Sequence, residues 1–97
     1  MLFRSSDQLK EMRERKGIPQ RIVAATLDID TATYCKMEKG ALRPKRNHIP
    51  LLASLFEVNE EQLLKDWLAE KITSLAMTEE QVAVEALEIA YKGIKRQ

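Results

Sequence analysis

Residues 17–40 read GIPQRIVAATLDIDTATYCKMEKG, and the fold turns on this stretch. Gly17 and Gly40 mark its ends, Pro19 suits a first helical turn, and Asp28-Ile29-Asp30 separates two runs of helical periodicity. The first run, Pro19 to about Leu27, turns Val23, Ala24 and Leu27 to one side. The second, Thr31 to Lys39, turns Tyr34 and Met37 inward and leaves Thr31, Ala32, Thr33, Cys35 and Lys36 outward. Asp30 is placed to cap that second helix by accepting a bond from a free backbone N–H. Two short helices joined by a tight turn, the second with a polar outer face, make a surface suited to reading another molecule.

The same periodicity extends outward in both directions. Upstream, a helix from Ser5 to Gly17 carries Leu9 and Met12 on its inner side, with Ser5 and Gln8 spaced as a capping box. Downstream, Ala41 to Asn47 is a basic loop containing Arg43, Pro44, Lys45 and Arg46. Pro50 opens a fourth helix through Phe56, offering Leu51, Leu52, Leu55 and Phe56 to the core. A fifth follows Asn59, with Leu63, Leu64, Trp67, Leu68, Ile72 and Leu75 on one face. A last helix is opened by Thr78 with Gln81 three residues on, and its apolar residues form two stripes. Val82, Ala86, Ile89 and Ala90 make one stripe, expected to pack on the chain's own domain. Val84, Leu87, Tyr91 and Ile94 make the other, a candidate dimer interface. No run alternates with period two over strand length, so the expected class is all-α.

Composition narrows the function classes. A 97-residue chain, 44% apolar and 5% aromatic, fits one hydrophobic core. One cysteine (Cys35) and one histidine (His48) cannot build a disulfide framework, a zinc site closed within one chain, or a Cys/His nucleophile pair on separate elements. No paired carboxylates in a cleft or glycine-rich phosphate loop can be named either. The expectation is therefore no enzyme, no metal and no cofactor. With no apolar run of the roughly 18 to 20 residues that cross a bilayer, and no secretion-type apolar core at the start, the expected setting is cytoplasmic, without a membrane partner. The net charge of +1 hides a division. Up to Phe56 there are eleven Lys/Arg against six Asp/Glu, a balance of +5; from Glu57 onward five stand against nine, a balance of −4. A basic front and an acidic back suggest that the front meets a polyanion.

At this point the pattern resembles a known family. Gly17-Ile18-Pro19-Gln20, Ala24, Leu27, Ile29, Thr33, Met37-Glu38-Lys39-Gly40, Pro44, Ala53, Val58 and Leu63-Leu64 are similar to the lambdoid repressor and Cro type of helix-turn-helix domain, the XRE family. The similarity spans Leu9 to Trp67 in a single register. It implies a five-helix lambda-repressor-like DNA-binding domain over residues 1–72, with an additional C-terminal helical extension over 73–97 for dimerisation or partner binding. It also implies that Thr31, Ala32, Thr33 and Lys36 read bases, that Gln20, Lys39, Arg43, Lys45 and Arg46 hold phosphates, and that Arg13 and Glu38 form a structural pair. Two departures from the family pattern stand out. Asp28 replaces the usual turn glycine, and Pro19 replaces the Ser or Thr that caps the second helix.

The resemblance implies a transcription regulator, of repressor type, that binds double-stranded DNA as a homodimer on an inverted repeat. Two copies of a short reading helix, one helical turn apart, double the readout. Its most specific version is the controller of a restriction-modification operon. The alternative is an antitoxin that binds a toxin through the C-terminal helix and represses its own operon. Neither the operator nor the sign of regulation is legible in the residues.

Overall fold

The computed structural model describes the backbone of residues 5–97 and the side chains of residues 7–97. Six α-helices follow one another: α1 Ser5–Lys16, α2 Gln20–Thr26, α3 Thr31–Glu38, α4 His48–Phe56, α5 Glu60–Ala76 and α6 Ala83–Lys95. A short 3₁₀ segment, Met77–Val82, separates the last two. Among the described residues there is no strand, so the chain is all-α. The expected Ser5 cap lies outside the described side chains. Two compact units divide the chain, Met1–Trp67 and Leu68–Gln97, with the break inside α5.

The first unit is built on short helices that end alike. After α1, the N–H of Gly17 bonds Glu14 O (3.0 Å) and that of Ile18 bonds Arg13 O (3.1 Å). Asp28 and Ile29 repeat the pattern after α2, Gly40 and Ala41 after α3, and Glu57 and Val58 after α4. Each is a paired closure in which one residue takes the left-handed conformation and frees the next to turn back. That residue is Gly17 (φ 66°), Asp28 (φ 58°), Gly40 (φ 81°) and Glu57 (φ 55°) in turn. The chain can thus reverse between helices of only two or three turns.

What holds these helices is one core. Leu9, Val23, Ala24, Leu27, Tyr34, Met37, Ile49, Leu52, Ala53, Phe56, Leu63 and Trp67 are buried together, with Met12, Ile18, Ile29, Leu55, Val58 and Leu64 packed around them. Helices this short are marginal alone, so their stability comes from this burial. Polar clamps close the periphery: Gln8 Nε2 donates to Asp66 Oδ2 at 2.9 Å, and Lys16 pairs with Glu57.

Several local expectations are corrected. Leu51, expected in the core, is 42% exposed, because α4 begins at His48 and its buried face is Ile49, Leu52, Ala53 and Phe56. The apolar face of α5 is buried only at Leu63 and Trp67, with Leu64 half-buried; Leu68, Ile72 and Leu75 are exposed. The Thr78/Gln81 box does not form, since Thr78 Oγ1 instead donates to Leu75 O (2.7 Å) and Glu79 leaves helical geometry (φ −130°, ψ 65°). Helix α6 starts at Ala83 for that reason. Its stripe Val82, Ala86, Ile89 and Ala90, expected to pack on the chain's own domain, is exposed.

Candidate nucleic-acid interface

The site grows from the turn between α2 and α3. Leu27 is buried and closes α2, Asp28 turns left-handed, Ile29 tucks back half-buried, and Asp30 begins α3. Asp30 Oδ1 accepts the backbone N–H of Thr33 at 2.7 Å, which is the expected cap. That bond holds the Asp30 carboxyl below its ordinary range. The turn therefore fixes both the position and the start of α3.

Tyr34 and Met37 are fully covered, so α3 cannot roll about its axis without uncovering them. Its outward face presents Thr31, Ala32, Lys36 and Lys39, all exposed, with Thr33 half-buried beside them. Cys35, expected on the outer side, is half-buried: its thiol donates to Gln20 Oε1 at 3.2 Å. Gln20 Nε2 in turn donates to Glu38 Oε1 at 3.1 Å. The first residue of α2 is thus tied to both halves of α3, a bracing role for Gln20.

Glu38 is the hub of this brace. Arg13 grips it with Nε to Oε2 at 2.5 Å and Nη2 to Oε1 at 3.1 Å, and also donates from Nη1 to Ile18 O at 3.1 Å. The two side chains are only 15% and 5% exposed. Burial pushes the Glu38 carboxyl up, but the donors of Arg13 and Gln20, with the Tyr34 hydroxyl nearby, outweigh it and hold the group ionised below its usual range. Desolvation, reinforced by the Glu38 charge, drives the Tyr34 hydroxyl far above its own ordinary value and keeps it neutral. The pair expected to join α1 to the end of α3 does so.

The basic loop is fastened at two points. Trp67 donates its indole N–H to Pro44 O at 2.7 Å, a buried bond from α5 into the middle of the loop. His48 Nδ1 accepts the Lys45 backbone N–H (3.1 Å), while His48 N–H bonds Lys45 O (2.9 Å). Accepting at Nδ1 requires an unprotonated nitrogen there, and burial together with the nearby Lys45 charge lowers the pKa of His48. With Pro44 and His48 buried, Lys45 and Arg46 are held outward and exposed, and Arg43 is half-buried.

Elsewhere, Val84, Leu87, Tyr91 and Ile94 all lie exposed on α6. Among the described residues no cluster of His, Cys, Asp or Glu could hold a metal ion, and no helix is long and apolar enough to cross a membrane. Sequence reasoning missed the Cys35–Gln20–Glu38 chain, the His48 latch and the Trp67–Pro44 bond. Only the last left a signal, since a buried indole N–H must find an acceptor. Compared with protein-family models, curated proteins and solved structures, the chain matches none.

Proposed function

We propose that this chain is a sequence-specific DNA-binding regulator of the lambdoid repressor and Cro type, which reads an inverted-repeat operator as a homodimer. The observation that carries the reading is the braced presentation of α3. A helix whose outer face is Thr31, Ala32, Thr33 and Lys36 is locked to α2 and α1 through Gln20, Glu38 and Arg13, and stands in sequence directly before the exposed Lys45 and Arg46. Lysine reaches guanine O6 and N7 in the major groove, threonine and alanine methyls touch thymine, and the basic loop residues suit phosphates. The +5 balance of the chain up to Phe56 draws that end toward a polyanion. An operon controller, including one for a restriction-modification cassette, is the kind of regulator this describes.

The test is a titration of the purified protein against DNA from its own upstream region, with excess nonspecific competitor and complex mass read in parallel. A competitor-resistant complex of two chains on a short palindrome is expected. Salt-labile binding with no site preference would overturn the reading. Site preference that arises only after a second, different protein has bound the chain would replace it with the antitoxin alternative.

A further inference from the structure

Helix α6 leaves a bulky stripe of Val84, Leu87, Tyr91 and Ile94 at 38% to 70% exposure, an apolar face of the kind that marks a docking surface. Its charges are sorted along its length. Glu79, Glu80, Glu85 and Glu88 occupy the leading part of the segment, and Lys92, Lys95 and Arg96 the trailing part. Glu88 and Lys95 lie seven residues apart, so they share one edge of the stripe. Lys95 is placed on that edge by its Nζ, 5.5 Å from the centre of the Tyr91 ring.

We propose that α6 docks antiparallel on α6 of a second copy of this chain. In a two-fold antiparallel helix pair the same edge of each helix faces its symmetry mate, so Glu88 of each copy comes beside Lys95 of the other. A parallel pair would set acid against acid and base against base. Charge order thus selects both the occupant and its direction: a chain whose own edge is complementary to itself when reversed. A specific interface takes about 800 Å² from each partner, more than one such stripe supplies. The exposed Leu68, Ile72 and Leu75 of the same unit provide the additional apolar area.

The inference rests on the two-copy reading above, and each can fail without the other. Sedimentation equilibrium on the full chain without DNA is expected to show a dimer. Glu88→Lys and Lys95→Glu, each alone, should weaken it by about tenfold, because each change acts twice across the two-fold. Both changes on one chain should restore it to within about threefold, since the complementarity is only reversed. The acid-to-base order also suits the helix's own dipole. Were that its whole role, the double variant would be the weakest, and the proposal would fall.

Orientation is read independently by disulfide trapping in a Cys35→Ser background. Val84→Cys chains mixed with Ile94→Cys chains should link under mild oxidation, while Val84→Cys chains alone should not. Self-linkage of Val84→Cys alone, or a monomeric wild-type chain, overturns the inference. A dimer that obeys the charge test but shows no DNA site preference removes the regulator reading and keeps this one; operator binding indifferent to both charge changes does the reverse.

Discussion

Asp28 holds a left-handed backbone (φ 58°) at the turn between α2 and α3, where an L-residue with a side chain is strained and glycine is not. Asp28→Gly should stabilise the chain by about 0.5–1 kcal/mol, less what glycine adds to unfolded-state freedom. It should also strengthen DNA binding by removing a negative charge beside α3. Denaturant midpoints check the first effect and DNA titrations the second; a loss of stability would mean that the Asp28 side chain supports the turn. Lys36 carries a different prediction. It is exposed on α3, and if it reads a base, Lys36→Ala costs about 1–3 kcal/mol and relaxes preference at one base pair per half-site. Uniform weakening on every sequence would make Lys36 a phosphate contact instead.

At the scale of elements, the basic loop depends on a bond from a distant helix. Trp67→Phe keeps an aromatic ring in the core but removes the indole N–H, leaving Pro44 O without that donor. The expected cost is about 1–2 kcal/mol of stability, with a further loss of DNA affinity because Lys45 and Arg46 lose their anchored frame. Weaker DNA binding by a chain that remains folded, read by titration and near-ultraviolet dichroism together, would establish the anchor; unchanged affinity would show that His48 suffices. This bond also marks the limit of what the sequence made legible. Helices α1 to α5, the Asp30 cap and the inward Tyr34 and Met37 followed from periodicity and capping chemistry, which act over neighbouring residues. The partners of Trp67, Cys35 and His48 did not, because they depend on how elements meet across 23, 15 and three residues respectively. Even at three residues, nothing in the local pattern distinguishes an exposed loop histidine from one turned inward. The start of α6 was misplaced for a local reason: Thr78 satisfied a carbonyl behind it rather than an N–H ahead.

For the molecule as a whole, the pKa shifts with the clearest consequences share a sign on the acid side. His48 is lowered from its ordinary 6.5 by burial and by Lys45, so the unfolded chain takes up its proton first as pH falls. Its contribution to stability is complete above 6.5 and is lost between that value and its lower folded one, with a slope of at most about 1.4 kcal/mol per pH unit for one proton. Glu38, held below its ordinary 4.5 because its hydrogen bonds outweigh its burial, adds stability that is present above 4.5 and lost as pH falls through its folded value. Asp30 and Glu57 shift in the same direction at the exposed ends of helices, where solvent screens the effect. Acid unfolding should therefore come in two stages, a shallow loss below 6.5 from the loop latch and a steeper one below 4.5 from the α1–α3 brace. Tyr34 sets the opposite limit, since its raised pKa makes stability fall once pH passes the ordinary 10.0 of the unfolded side chain. Denaturant melts across this range test the assignment. His48→Gln places a carbonyl where Nδ1 accepts and cannot titrate, so it should flatten the first stage and leave the second; equal slopes for variant and wild type between pH 5 and 6.5 would remove His48 from that stage.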